Sequence, residues 1–217
     1  MLLVKLKHKI FDITTLLLIF AISLLCISMS MSTANATSIR SMSLNETAVD
    51  AEFIFEGQVL ESETRWNANH TDIATFITFS VKEVLKGEYD EQTIVLRFSG
   101  GEIGEDKVVY QGIVYPAVGE SGIYFVESVS QSLINPLVGW SQGHFKLRAD
   151  ANSTTVMNNR DKPIMSIAPS ALSQRNNTGV ISDGSAAGLK LGSREQIGMS
   201  KTDFKRALQL MLEVSEP

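Results

Sequence analysis

Beyond residue 36 the chain carries two histidines, His70 and His144, the residues whose ordinary pKa suits proton transfer near neutral pH. A hydrolase would set such a group beside a nucleophile or use it to hold a metal. The sequence has no His-Glu-x-x-His pair, Gly-x-Ser-x-Gly elbow, phosphate loop or dinucleotide fingerprint. His70 lies in the polar run Trp66 to Asp72, where a metal would need Asp72 and a further ligand, so an exposed loop histidine is the plain expectation. His144 follows Gly143 and reads as a surface or edge residue. Glycoside chemistry would need two inward acids. The candidates Glu56, Glu83, Glu102 and Glu127 are expected at turns or outward positions, and nothing selects a pair. The aromatic residues Trp66, Tyr110, Tyr115 and Trp140 suit stacking against a sugar or a peptide, although such residues more often fill a core or its rim. No catalytic residue, metal ligand or cofactor is therefore expected. A partner-binding set of Trp66, His70, Tyr110, Trp140 and His144 is the reading that remains.

These side chains belong to a chain that reads as exported. Lys5, Lys7 and Lys9 precede an apolar stretch from Thr15 to Met29, and Ala34-Asn35-Ala36 places small residues where a signal peptidase reads them. Residues 1–36 are thus expected to be a signal peptide cleaved after Ala36, with secretion or periplasmic delivery to follow. An uncleaved membrane anchor is the rival, weakened by Asp12 on one side and Ser28, Ser30 and Ser32 on the other. Cys26 is the only cysteine and lies inside the removed segment, so no disulfide or zinc-thiolate site is expected after cleavage. Removal of Lys5, Lys7, Lys9 and Asp12 turns 19 basic and 24 acidic residues into 16 and 23, a net charge of −7. That balance argues against nucleic acid. The densest basic group, Lys201, Lys205 and Arg206, reads as a solvated helix face.

The elements that must position the candidates are mostly strands. Ser43 and Glu46 form a capping-box pair ahead of a short helix. Strands are expected from Phe53 to Leu60, Asp72 to Leu85, Gln92 to Phe98, Lys107 to Val114, Ile123 to Val126 and Val138 to Arg148. The second should bulge near Lys82-Glu83, where its alternation breaks, and Thr154 to Met157 should pair back as a hairpin. From 158 to 199 asparagine, glycine and proline dominate and a long flexible loop is expected. Ser200 and Asp203 then open an amphipathic helix over 200–214. The implied fold class is mainly β: a small antiparallel OB-like barrel or curled sheet over 37–157, with a short N-terminal helix and a docked C-terminal helix.

The segments Ala51 to Val59, Thr78 to Gly87, Gly100-Gly101-Glu102, Val118-Gly119-Glu120 and Gly139 to Leu147 resemble a family of uncharacterised exported bacterial proteins. That family is in turn similar to the netrin-like, OB-type barrel of the tissue inhibitors of metalloproteinases. The resemblance covers about residues 44–157, and its motifs are structural. It implies a barrel scaffold and a protein partner such as an exported protease. The inhibitors' zinc-chelating amino-terminal cysteine has no counterpart here. The expectation is thus an exported non-catalytic binding module for an as yet unidentified protein. Less favoured are a membrane-anchored structural envelope protein, with membrane contact only if residues 1–36 are retained, and a hydrolase using His70 or His144.

Overall fold

The computed structural model describes residues 39–150, 153–168 and 184–215. The expected signal peptide, including Ala34 and Ala36, lies outside these residues. Helix α1 (Leu44–Asp50) opens as the sequence predicts: Ser43 Oγ accepts from the Glu46 N–H at 3.1 Å, and the Glu46 carboxylate accepts from the Ser43 N–H at 2.7 Å. Its C-terminal end is closed from far away. Lys86 Nζ donates to the carbonyls of Ala48, Val49 and Ala51 at 2.9, 2.8 and 2.6 Å, satisfying oxygens the helix itself leaves unpaired.

Among the described residues ten strands follow: β1 (Phe53–Trp66), β2 (Ile73–Lys86), β3 (Thr93–Ser99), β4 (Gly101–Ile103), β5 (Asp106–Val108), β6 (Ser121–Val126), β7 (His144–Ala149), β8 (Thr154–Asn158), β9 (Ile164–Ile167) and β10 (Leu189–Leu191). Six of them form one antiparallel sheet in the order β3-β2-β1-β6-β7-β8. The sheet is open, since β3 and β8 do not pair, so the curled-sheet form of the expectation is the one realised. The pairing of β1 with β2 skips Leu60, Lys82 and Leu85. The bulge expected where the β2 alternation breaks is therefore present at Lys82, and each extra residue adds local twist.

Three sequence expectations need correction. The apolar run from Lys107 to Val114 is strand only as far as Val108, and β5 pairs with β4 alone. Between Val138 and Gly143 the chain forms a 3-10 turn (Trp140–Gly143) in place of a continuous strand. Gly139 and Trp140 both sit at positive φ, which breaks strand geometry. The 158–199 segment, expected as one loop, contains two strands, β9 and β10, paired antiparallel. Its described parts pack because Ile164 and Ala186 reach the core.

The sheet buries residues on both faces. One face gathers Ile54, Ile123, Phe125, Phe145 and Val156 against α1 and the C-terminal helix α2 (Lys201–Ser215) through Leu44, Ala48, Phe204, Leu208 and Met211. The other gathers Phe53, Phe55, Ile77, Phe79, Ile94, Leu96, Phe98, Tyr124 and Val126. The continuous apolar run Ile123–Val126 thus supplies both faces, as a strand buried on two sides must. Among the described residues no helix is long and apolar enough to cross a membrane.

Candidate functional site

The residues from Val108 to Tyr115 leave the sheet after β5 and carry six apolar side chains in eight positions. Val109 is 70% exposed and Val114 37%. Tyr110, Ile113 and Tyr115 are half-buried and wall a pocket of about 340 Å3, which Val108, Val109, Ser62, Thr64, Thr75, Gly101, Glu102 and Lys107 complete. Its floor is a cross-strand pair. Thr64 and Thr75 lie opposite each other in β1 and β2 with their hydroxyls 3.1 Å apart, and Thr75 donates onward to Gly100 O at 2.8 Å. Gly101 must be glycine here: its φ is +138°, and a Cβ would stand 2.5 Å from both threonines. The Tyr115 hydroxyl donates to Ser99 O at 2.8 Å while its ring meets Phe98 edge-on, and burial raises its pKa, so it stays a phenol.

The same segment reaches Trp140. A Cβ at Gly112 would lie 3.3 Å from Ile39 and 3.5 Å from the Trp140 ring. Trp140 itself sits at φ +60°, a conformation costing a bulky residue about 1–3 kcal/mol that the surrounding fold must offset. Gln142 braces this turn: its side chain accepts from Met42 N–H at 2.8 Å and donates to Arg40 O at 2.9 Å and to Gly139 O at 3.1 Å. Tyr110 and Trp140, two of the five sequence candidates, are therefore drawn to one segment.

The remaining candidates lie elsewhere. Trp66 and His70 stack on each other with ring centroids 5.8 Å apart at the tip of the β1–β2 hairpin, where His70 has φ +53°. Asn67 holds that tip by accepting from Thr71 N–H at 2.8 Å. His144 is buried, which corrects the surface or edge reading. Its ring stacks on Tyr124, and its Nε2 lies 2.6 Å from Glu120 Oε1. Tyr124 in β6 is the cross-strand neighbour of Phe55 in β1, and Trp66 stands eleven residues further along β1, about 35 Å of strand path. The two histidines thus pack with different neighbours, and the hydrolase expectation gains no shared pocket. Among the described residues no group of three His, Cys, Asp or Glu is placed to hold a metal.

Glu120 is the hub of a network the sequence did not single out as a site. Its Oε1 also accepts from the Tyr124 hydroxyl at 3.3 Å, and Lys146 Nζ lies 3.7 Å from its Oε2 and 3.0 Å from Asp161. Burial pushes the Glu120 pKa up, but the hydrogen bond and charge of His144 and the Lys146 ammonium outweigh it, leaving the carboxyl below its ordinary value. Burial and the Glu120 charge push Tyr124 far up, so its hydroxyl remains a donor. His144 Nδ1 is buried without a partner. A cleft of about 470 Å3 opens beside Glu120, Lys146, Asp161 and Arg194.

Two further readings change. Glu56, expected at a turn or outward, is buried in β1 and paired with Lys201 at 2.9 Å and with Lys205. Lys205 also reaches Glu83 at 2.6 Å, so two of the three helix cations are pinned to the sheet instead of solvated. Pairs separated by more than a hundred residues leave no local signal. Thr64, Thr75 and Gly101 were missed because each reads as ordinary strand or turn, although the Gly100-Gly101 pair did mark a position needing unusual backbone. Compared with known proteins, the chain matches no family model, no curated protein and no solved structure.

Proposed function

We propose that this chain is an exported, non-catalytic binding module that meets a protein partner through the 108–115 segment, its pocket and Trp140. One observation carries the reading: from Val108, the last residue of β5, to Tyr115 six apolar side chains in eight residues are half-exposed or exposed, around a pocket of about 340 Å3. Apolar surface held on a loop over a rigid scaffold is the usual form of a recognition site. The pocket's hydroxyls and phenols supply the few polar groups that orient a bound side chain. The strand motifs resemble a family of exported bacterial proteins whose barrel is in turn similar to that of the metalloproteinase inhibitors, which supports an exported protease as the partner class. Since Cys26 lies in the segment proposed to be removed, contact would rest on this surface and not on a thiol.

The test is to express the full-length chain with a C-terminal tag, determine its mature amino terminus and identify what co-purifies. The same is done with a Val109→Asp/Val114→Asp double variant. The expected result is a start at Thr37 and one exported protein in stoichiometric amount, lost from the variant at unchanged melting temperature. Equal recovery of that protein by the variant would sink the proposal. So would an intact Met1 in the membrane fraction with nothing bound.

A further inference from the structure

β3 is an outer strand of the six-stranded sheet, and the direction of each of its backbone groups can be assigned. Val81 donates to Gln92 O and Gly100 donates to Ile73 O, both at 2.8 Å, so the even-numbered residues bond toward β2. Ser99 donates the other way, to Ile134 O at 2.8 Å. The unbroken register from Ala74↔Ser99 to Ser80↔Thr93 carries this parity along the strand. Thr93, Val95, Arg97 and Ser99 therefore turn their N–H and C=O groups to the free side. The chain closes both ends of that row itself. At one end the Tyr89 hydroxyl donates to Thr93 O at 2.9 Å, and at the other the Tyr115 hydroxyl donates to Ser99 O at 2.8 Å. Between them the N–H of Thr93 and both backbone groups of Val95 and Arg97 have no partner among the described residues. Val95, at the centre, is 54% exposed.

We infer that this window is a self-association edge, on which β3 of a second copy adds antiparallel about a two-fold axis at Val95. The window is symmetric about that residue. Pairing Val95 with the partner's Val95 sets Thr93 opposite the partner's Arg97, so every free N–H meets a carbonyl. Thr93 O has a second lone pair for this beside the Tyr89 hydroxyl. The charges agree with the same direction. Glu88, Asp90 and Glu91 precede the strand and Arg97 ends the window. The antiparallel arrangement puts Arg97 diagonal to the partner's Glu91 at both ends, within reach of a long side chain. A parallel addition would set the acidic ends side by side. Arg97 donates to Ser99 Oγ at 3.2 Å and to Leu133 O and Asp72 at 3.4 Å, and with five N–H donors its guanidinium keeps some to share. The even residues Ile94 and Leu96 of both copies stay on one face, so the core pattern continues across the junction. The interface is isologous and small, at the weak, transient end of protein–protein contacts.

Sedimentation of the purified mature protein over about 5–500 µM, a span in which weak self-association is read, tests the inference. A concentration-dependent dimer is expected. Val95→Pro removes an outward N–H and no bond to β2, so it should leave the circular dichroism spectrum and melting temperature intact and abolish the dimer. Should proline disturb the strand, Val95→Lys blocks the same edge by charge. Arg97→Glu should weaken association at least tenfold, and Glu91→Arg/Arg97→Glu should restore it. A monomer throughout the range overturns the inference, as does a dimer untouched by either Val95 variant. A dimer indifferent to the charge reversals overturns the Val95-centred pairing.

Discussion

The two faces of the central sheet are closed by different means. One is covered by α1 and α2, whose residues Leu44, Ala48, Phe204, Leu208 and Met211 come from opposite ends of the described chain. The other is closed by rings packing on rings as the sheet curls. Phe53 stacks on Phe55 at 5.2 Å, Phe55 meets Phe79 edge-on at 5.6 Å, and Phe79 meets Tyr124 at 4.7 Å. Gly57 and Gly122, opposite each other in β1 and β6, make room for this: a Cβ on Gly122 would lie 2.6 Å from the Tyr124 ring. Each side also buries a carboxylate. Glu56 is neutralised by Lys201 and Lys205 from α2, whereas Glu120 is hydrogen-bonded to His144 and ion-paired with Lys146, both from the neighbouring strand. The helix-covered side thus depends on a layer brought in from outside the sheet, whereas the aromatic side is made within it.

The largest expected effect distinguishes those layers. Phe55→Ala removes a fully buried ring with three aromatic neighbours and should cost about 4 kcal/mol, with the denaturant slope unchanged. Phe204→Ala should cost about 3 kcal/mol with a reduced slope, because α2 detaches before the sheet unfolds. Equal slopes in urea titrations of the two variants would break the comparison.

Next in size are the two acids. Glu120→Ala strands His144 and the Tyr124 hydroxyl in the interior and should cost about 2–4 kcal/mol. Glu56→Gln should cost about 1–2 kcal/mol, since Lys205 keeps Glu83. Thermal denaturation of both variants ranks them, and the reverse order would show that the helix lysines hold the sheet more firmly than the His144 network does.

The smallest effect is on pH dependence. In Glu46, Glu56 and Glu120 burial raises the pKa, but hydrogen bonds and nearby cations lower it further, so each carboxyl ends below its ordinary value. Their folded pKa lies under the unfolded one. Each contribution is therefore complete above the ordinary carboxylate range and is lost as pH falls through the depressed value. Melting temperature should hold level above about pH 5 and fall below about pH 4, and Glu120→Gln should flatten that limb. Lys205 runs the other way. Burial lowers its pKa, but the hydrogen bonds and charges of Glu56 and Glu83 raise it above the ordinary value, so its contribution is lost only as pH rises through that raised value. A sharp alkaline loss well below pH 10 in the wild type, or one unaltered by Lys205→Met, would contradict the pairing.

Much of the architecture was legible locally. The Ser43–Glu46 capping box, the alternation of β2 with its break at Lys82, the β7–β8 hairpin and the apolar stripe of α2 each rest on neighbours a few residues apart. The candidate site was legible only in part. Tyr110 and Trp140 were recognisable as aromatic candidates, but Val108–Tyr115 reads as an apolar strand and gave no sign that it would be left half-exposed. The turn at Gly104 and the positive φ of Gly112 carry it off the ladder, onto Trp140 and over Thr64 and Thr75.

What the sequence determined by itself was composition and local periodicity: a mainly β chain with helices near its two ends, two histidines beyond residue 36 and an excess of acid. Only the tertiary structure decided which partners the inward carboxylates meet. Glu56 met Lys201 and Lys205 across 145 and 149 positions, and Glu120 met His144 across 24. The reason is physical. Periodicity records which side of an element faces the core, but a buried carboxylate needs a cation at hydrogen-bond distance, and that distance is set by the pairing order of strands that no local pattern encodes.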